Sequence, residues 1–203
     1  MIQAADPPLV LASASAGRRA LLAAAGLRFE ALPAAVDEAA IKEAAQAEAI
    51  PPHDAALLLA EAKAERIARK RPDALVIGCD QLLVCDGRWF DKPADIAAAR
   101  EQLRALRGRT HELVTAALCW RGGRRIWQEV AVPRLTMREF SDAVLEAYLA
   151  AEGDAVTQTV GAYRLEGLGV HLFARIAGEH AAILGLPLLA LLGFLRDHGV
   201  LAR

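Results

Sequence analysis

The run of small and aliphatic residues at positions 74–79, ALVIGC, constrains the fold more than any other feature of the sequence. A short apolar run bounded by polar residues is typical of a buried strand. Strand-like and helix-like segments alternate along the chain, and such alternation indicates an α/β protein. We therefore expect an α/β fold with residues 74–79 in its sheet.

Other segments follow the same pattern. An apolar run at 9–12 predicts a strand, and a turn of small residues leads from it into a helix over 18–25. The Asp-Gly pair at 86–87 lies between two short strand-like runs and predicts a hairpin. Residues 124–135 read as a further strand. Residues 181–198 read as one buried helix, although Pro187 lies inside it.

Length and charge limit the possible functions. A chain of 203 residues suits one domain, here taken as residues 1–203. Lys and Arg total 24 against 25 Asp and Glu, and this near-zero net charge argues against a nucleic-acid partner. The net charge does not exclude a small anionic ligand, which needs only a local cluster of positive charge.

Neither the cysteines nor the apolar segments suggest export or a membrane. The three cysteines form no CxxC pair, so we interpret them as reduced thiols of a cytoplasmic protein. The first residues lack the basic start and long apolar core of a secretory signal. The most apolar stretch, 181–195, is too short to span a bilayer, so we expect no membrane partner.

The turn between the first strand and the first helix is a candidate phosphate site. It contains Ser13, Ser15 and Gly17, followed by Arg18 and Arg19. Small residues, hydroxyls, guanidiniums and the N–H groups of a helix start together suit a phosphate. The alternative is an ordinary N-cap followed by a solvated arginine pair.

Two acidic positions could serve as catalytic or metal-binding carboxylates. Asp80 directly follows the 74–79 strand, a frequent site position in α/β folds, and suits a metal ligand or a general base. An aspartate that forms a turn at a strand end would look the same. Glu38, next to Asp37, could add a second carboxylate, although an acidic first helical turn gives the same pattern.

Two lysines are weaker candidates. Lys92 precedes Pro93 just after the predicted hairpin and could reach a phosphate, or could be a solvated residue before a helix-starting proline. Lys63 lies in a predicted helix, where most lysines face solvent.

Taken together, the motifs resemble those of the Maf family of nucleoside triphosphate pyrophosphatases, formerly described as septum formation inhibitors. Their order and spacing cover nearly the whole chain, and the ordered set is specific although each motif alone is weak. The matching segments are the serine-arginine loop (13–19), Asp37-Glu38, an LAxxKA-like helix (59–64), Gly78-Cys79-Asp80, Lys92-Pro93, Gly108 with His111 and Thr115, Gly161-Ala162-Tyr163 and GLPL (185–188).

Within this family, the chain is most similar to the subgroup that acts on 7-methyl-GTP. The subgroup that acts on dTTP and UTP has Asp-Thr and Gln-Gly where this chain has Asp80-Gln81 and Glu166-Gly167. Gly17 stands where the 7-methyl-GTP subgroup has a bulky aromatic residue, and Ala16 replaces the proline that is usual in the family.

The resemblance implies a fold and a reaction. The fold is an elongated, curved mixed sheet flanked by helices, with two lobes around a cleft, and the family commonly forms homodimers. The reaction is hydrolysis of a nucleoside triphosphate to the monophosphate and pyrophosphate. It would use a divalent ion, Mg²⁺ or in substitution Mn²⁺, because the candidate ligands are hard oxygens.

The resemblance also implies a role for each candidate residue. Asp80 would be the general base or hold the metal with Glu38, and Lys63 and Lys92 would neutralise phosphate charge. The loop residues Ser13, Ser15, Gly17, Arg18 and Arg19 would bind the substrate, with Gln81 and Glu166 facing the base. Alternatives are a pyrophosphatase for dTTP, UTP or other modified nucleotides, or a nucleotide-binding regulator of division that does not turn over.

Overall fold

The protein has a mixed α/β fold. The computed structural model describes residues 3–202, so both ends of the predicted 1–203 domain lie outside the described residues. Within 3–202 there are eight strands and seven α-helices, which confirms the expected α/β class. The sheet order is β2-β1-β3-β5-β7-β8, with β4 beside β3 and β6 beside β5.

The strands differ widely in length. Most have two to five residues, whereas β3, β5 and β6 are longer. Their bounds are β1 (Leu9–Leu11), β2 (Glu30–Ala31), β3 (Leu75–Cys85), β4 (Arg88–Phe90), β5 (Thr110–Arg121), β6 (Arg124–Ala131), β7 (Arg134–Met137) and β8 (Phe173–Ala177).

The helices lie mostly between strands. They are α1 (Ala16–Ala24), α2 (Glu38–Ala47), α3 (Pro52–Ala68), α4 (Ile96–Leu106), α5 (Asp142–Glu152), α6 (His180–Ile183) and α7 (Leu188–Asp197). Three 3-10 turns lie between α5 and β8, at Gly153–Gln158, Val160–Ala162 and Leu168–Leu172.

The chain divides into two compact units. The first comprises residues 3–81, 115–131 and 179–202. In it β1 runs parallel to both β2 and β3, with Val10 opposite Glu30 on one side and Val76 on the other. Parallel neighbours need crossover connections, and the helices α1, α2 and α3 provide them.

Alternate residues of β3 contact different elements of this unit. Leu75, Ile77 and Cys79 belong to an apolar cluster that includes residues of α7, such as Leu191 and Leu195. The intervening positions lie against α3, as Gly78 shows by its close approach to α3. One face of β3 therefore packs in the apolar cluster, and the other face packs against α3.

The second unit comprises residues 82–114 and 132–178. The β3–β4 hairpin has Asp86 and Gly87 at positive φ (49° and 78°), as predicted for an Asp-Gly turn. His111 is 1% exposed and its Nε2 lies 2.8 Å from the Tyr163 hydroxyl. Burial lowers the pKa of His111 to about 4, so the ring is neutral at physiological pH.

Three local predictions were wrong. The strand at 74–79 does not end before Asp80 but continues to Cys85, because a lysine neutralises the buried carboxylate. The predicted 181–198 helix is two helices, separated where Gly185 has a φ of 102° and Pro187 cannot donate an N–H. Pro133 likewise separates β6 from β7 within the predicted 124–135 strand.

Two chemical predictions concern thiols and membranes. The three cysteines are free and buried, and burial raises the pKa of Cys79 to about 11. Between residues 3 and 202, no helix combines the length and the apolarity that crossing a membrane requires.

Candidate active site

A buried lysine joins two of the predicted carboxylates. Lys63 Nζ lies 2.5 Å from Asp80 Oδ2 and 2.8 Å from Glu38 Oε1. Lys63 and Asp80 are 8% and 5% exposed, whereas the side chain of Glu38 is about half-exposed. The structure therefore brings these three predicted residues together, and Lys63 is not a solvent-facing helix lysine.

Close packing of α3 on β3 makes this contact possible. A Cβ at Gly78 would overlap the Ala60 carbonyl oxygen and lie 2.8 Å from Ala64 Cβ, so the position requires glycine. Ala60 and Ala64 are one helical turn apart, and Lys63 lies between them in sequence. Small residues on both elements thus allow the lysine to reach a carboxylate on the strand.

The two acidic residues at the start of α2 have different roles. The Asp37 carboxylate accepts a hydrogen bond from the Ala40 N–H at 3.0 Å and caps α2. Glu38, the first residue of the helix, reaches Lys63 instead. Asp37 is therefore the N-cap, and Glu38 is an acidic first-turn residue that also pairs with Lys63.

The serines of the first loop organise the start of α1. Ser15 is the N-cap, and its Oγ accepts from the Arg18 N–H at 3.4 Å. Ser13 is buried, and its Oγ accepts from the Ser15 N–H at 3.1 Å. Gly17 is exposed, and a Cβ there would meet the Leu184 carbonyl oxygen at 3.5 Å, an ordinary contact distance.

The two arginines of the loop have opposite environments. Arg18 is 9% exposed, and its Nε and Nη1 donate to the carbonyl oxygens of Gly185 (2.8 Å) and Cys79 (3.0 Å). Arg19 is exposed and forms no ion pair with a described residue. The predicted arginine pair is therefore one buried and one solvent-facing side chain.

Gln81 projects from the face of β3 opposite to Asp80. Its Nε2 lies 2.7 Å from Thr115 Oγ1 and 3.0 and 3.1 Å from the carbonyl oxygens of Ala182 and Ile183, so its two N–H groups are shared among three acceptors. Thr115 is fully buried, and its hydroxyl donates to the same Ala182 oxygen. Thr115 belongs to the motif series, but no role was predicted for it, because the Ala182 oxygen that it contacts lies 67 residues further along the chain.

Lys92 and Glu166 belong to the second unit. Lys92 is exposed. Glu166 is exposed as well, and its Oε1 lies 3.5 Å from Arg164 Nε, while Arg164 also pairs with the buried Glu152. Both residues retain their sequence-based roles as predictions.

Two carboxylates of the first unit are the groups that could hold an ion together with an anionic substrate. In the described part of the chain, no group of three or more His, Cys, Asp or Glu side chains could hold a metal by itself. Asp80 and Glu38 nevertheless direct carboxylate oxygens at one point, the Lys63 ammonium. Mg²⁺ is usually bound by one or two carboxylates and substrate phosphates, so this donor set fits an ion that arrives with a polyphosphate.

Comparison with known proteins agrees with these features. A family model described as "Maf-like protein" matches residues 8–198. A protein of Granulibacter bethesdensis is 53% identical over 193 residues, covering 95% of this chain and 98% of the relative. A protein of Rhodospirillum rubrum is 52% identical over 195 residues, covering 96% of each. Both relatives are named nucleoside triphosphate pyrophosphatase.

The matched region contains every candidate residue named above, and the identity to these relatives extends over nearly the full length of both chains. The chain belongs to the Maf-like protein family.

Proposed function

We propose that this protein is a nucleoside triphosphate pyrophosphatase, which hydrolyses its substrate to the nucleoside monophosphate and pyrophosphate. One observation carries the proposal: a buried aspartate and a half-exposed glutamate share a buried lysine. The proposal is supported by the names of relatives about half identical to the chain.

Water attacks the α-phosphorus and the β,γ-pyrophosphate leaves. Asp80 accepts the proton of the attacking water, since its carboxylate is held in place by Lys63 and by the Gln81 N–H at 2.6 Å. Lys63 and Lys92 neutralise negative charge on the phosphates. Arg19, exposed beside the Ser15 N-cap, contacts the triphosphate.

A divalent ion, Mg²⁺ or Mn²⁺, would be held by Asp80 and Glu38 together with the phosphates. When bound, such an ion neutralises charge that develops on the transferred and leaving groups. The hard oxygen ligands favour these ions over zinc or copper.

The finer proposal concerns the base. We take 7-methyl-GTP, or another guanine nucleotide, as the substrate, because Glu166 could accept hydrogen bonds from the N1–H and N2 amino groups of guanine. Uracil and thymine each offer one such donor, so the carboxylate would be left partly unpaired. Gly17 keeps dTTP, UTP and other modified nucleotides as the second candidate class, because it lacks an aromatic face for a methylated base.

The test is pyrophosphate release from GTP, 7-methyl-GTP, dTTP and UTP, each with Mg²⁺, with Mn²⁺ and with a chelator. We expect release from the guanine nucleotides that requires the ion. The Asp80→Asn variant should lose at least about 10²-fold in kcat, the scale of losing a general base.

Asp54→Asn is the matched control, because Asp54 is exposed in the first turn of α3 and should leave the rate unchanged. If the wild-type protein binds nucleotides but releases no pyrophosphate, it is a nucleotide-binding regulator instead. If Asp80→Asn keeps nearly full kcat, Asp80 has no catalytic role.

A further inference from the structure

The end of α6 presents backbone oxygens that its own helix does not satisfy. This helix has four residues, and Gly185, at a φ of 102°, turns the chain away after it. The last carbonyl groups of a helix have no partner within it. The Gly185 N–H donates to the Ala182 oxygen at 3.0 Å, and donors from other elements add further hydrogen bonds. We call residues 182–185 the α6 turn.

Side chains from three other elements supply these donors. Gln81 of β3 and Thr115 of β5 both donate to the Ala182 oxygen, and Gln81 also donates to Ile183. Arg18 of α1 donates through Nε to the Gly185 oxygen. Because carbonyl oxygens accept but never donate, the amide of Gln81 must turn its nitrogen toward the α6 turn.

The same side chains hold the strand on both sides of Asp80. Arg18 donates through Nη1 to the oxygen of Cys79, the residue before Asp80. Gln81 is the residue after it, and its backbone N–H donates to the Asp80 carboxylate at 2.6 Å. Residues 79 and 81 are thereby both tied to the α6 turn, and this fixes the backbone that carries the carboxylate.

From these contacts we infer that Arg18, Gln81 and Thr115 are positioning residues that act on Asp80 through the α6 turn. Through Nε and Nη1, Arg18 donates three of its five N–H groups to uncharged acceptors of its own chain, and we assign the triphosphate contact to the exposed Arg19 instead. The inference rests on the proposed pyrophosphatase function for its kinetic test, but hydrogen exchange tests it without any activity.

The adjacent arginines provide a matched kinetic comparison. Lysine keeps the charge but lacks the planar set of N–H donors with which the guanidinium reaches two separate carbonyl oxygens. Arg18→Lys should therefore lower kcat by about 10²-fold, the scale of a misplaced catalytic group, with the KM unchanged within about threefold. Arg19→Gln should raise the KM, and the Kd of an α,β-methylene nucleotide, by about 10-fold or more.

Two results would overturn the assignment of Arg18. One is a kcat close to that of the wild type. The other is a rise in KM of more than about threefold, whatever the kcat, since that is the signature of lost substrate binding. Arg69→Lys is the control, because Arg69 is exposed and, between residues 3 and 202, its one ion pair is with Glu65 of α3.

We call the contacts of Arg18, Gln81 and Thr115 with the α6 turn the clamp. Variants of Thr115 and Gln81 test it without changing a charge. Thr115→Val removes the hydroxyl at nearly constant volume and should lower kcat, whereas Thr115→Ser should restore most of it. Gln81→Met should lower kcat/KM by the same factor for guanine and uracil nucleotides. A change in the ratio between the two bases would instead make Gln81 a base-reading residue and overturn its positioning role.

Hydrogen exchange measures the clamp directly. In Thr115→Val, the amides of residues 180–186 should exchange faster than in the wild type. Thr110→Val, on the same strand and exposed, is the control and should leave these amides unchanged. Unchanged exchange at 180–186 in Thr115→Val would overturn the clamp. If the wild-type protein released no pyrophosphate but showed the exchange effect, the proposed function would fail while the clamp would stand.

Discussion

At the scale of single residues, Lys63 balances two carboxylates with one positive charge. Asp80 is nearly fully buried, so this ammonium takes the place of water beside its carboxylate, whereas Glu38 is half-exposed and water can solvate it. Removing one partner of a buried ion pair leaves the other uncompensated, which costs more than removing both. The cost of losing Lys63 should therefore come mainly from Asp80.

We predict that Lys63→Met lowers the free energy of unfolding by about 3–5 kcal/mol, because it leaves the Asp80 charge buried and unpaired. The double variant Lys63→Met/Asp80→Asn should regain a large part of this loss, since no buried charge remains. Urea unfolding of the wild type, both single variants and the double variant measures the effect.

Lys70→Met is the control for the lysine change, because Lys70 is exposed at the end of α3 and should shift stability by less than about 0.5 kcal/mol. A double variant as unstable as the sum of the two single variants would show that the charges are not coupled.

At the scale of elements, sequence patterns located most helices and strands but not where some of them end. The Ser15, Asp95 and Ser141 caps accept hydrogen bonds at the starts of their helices, as local chemistry predicts. The end of β3 was missed because a charged residue within an apolar strand reads as a terminator. Lys63, which pairs with Asp80, lies 17 residues earlier in a helix, and the periodicity of the sequence alone does not reveal this contact.

The candidate site shows the same limit. Strand alternation would have placed Asp80 and Gln81 on opposite faces, had the strand been extended through them. The burial of Arg18 could not have been predicted locally, because its acceptor at Gly185 is 167 residues away. Family resemblance selected the candidate residues, and tertiary contacts distinguish those that hold the chain from those that face solvent.

The contact between α3 and β3 leads to a prediction about Gly78. Gly78→Ala would place a methyl group against the Ala60 carbonyl and 2.8 Å from Ala64 Cβ, so the backbone of α3 must move. We expect a loss of about 1–3 kcal/mol in unfolding free energy, the usual cost of overpacking. The kcat should fall as well, because Lys63 moves with α3.

Gly193→Ala provides the contrast. Gly193 lies within α7, and a Cβ there would meet nothing within 4 Å. This change should stabilise the protein by up to about 1 kcal/mol, the difference in helix propensity between the two residues. Thermal unfolding of both variants is sufficient, and a Gly78→Ala variant as stable as the wild type would contradict the tight packing.

At the scale of the whole molecule, the predicted residues are distributed over both compact units. Asp80, Lys63 and Glu38 lie in the first, and Lys92 and Glu166 lie in the second. The only ion pair of Glu166 among the described residues is with Arg164, in its own unit. A change at Glu166 should therefore leave the Lys63 contacts and the stability of the chain largely intact.

This independence makes Glu166→Gln a clean test of base choice. The change keeps the size of the side chain, removes its charge and adds an NH₂ donor. We expect kcat/KM for GTP and 7-methyl-GTP to fall by about 5–150-fold. This corresponds to a loss of about 1–3 kcal/mol in transition-state stabilisation, as for one polar contact that is lost. The difference in kcat/KM between the guanine nucleotides and dTTP or UTP should narrow, because the new NH₂ group can donate to a carbonyl oxygen of uracil or thymine.

Glu146→Gln is the control, because Glu146 is an exposed glutamate paired with Arg100, and it should leave the base preference unchanged. A wild-type preference for dTTP or UTP that Glu166→Gln does not alter would place the chain with the pyrimidine-specific members of its family.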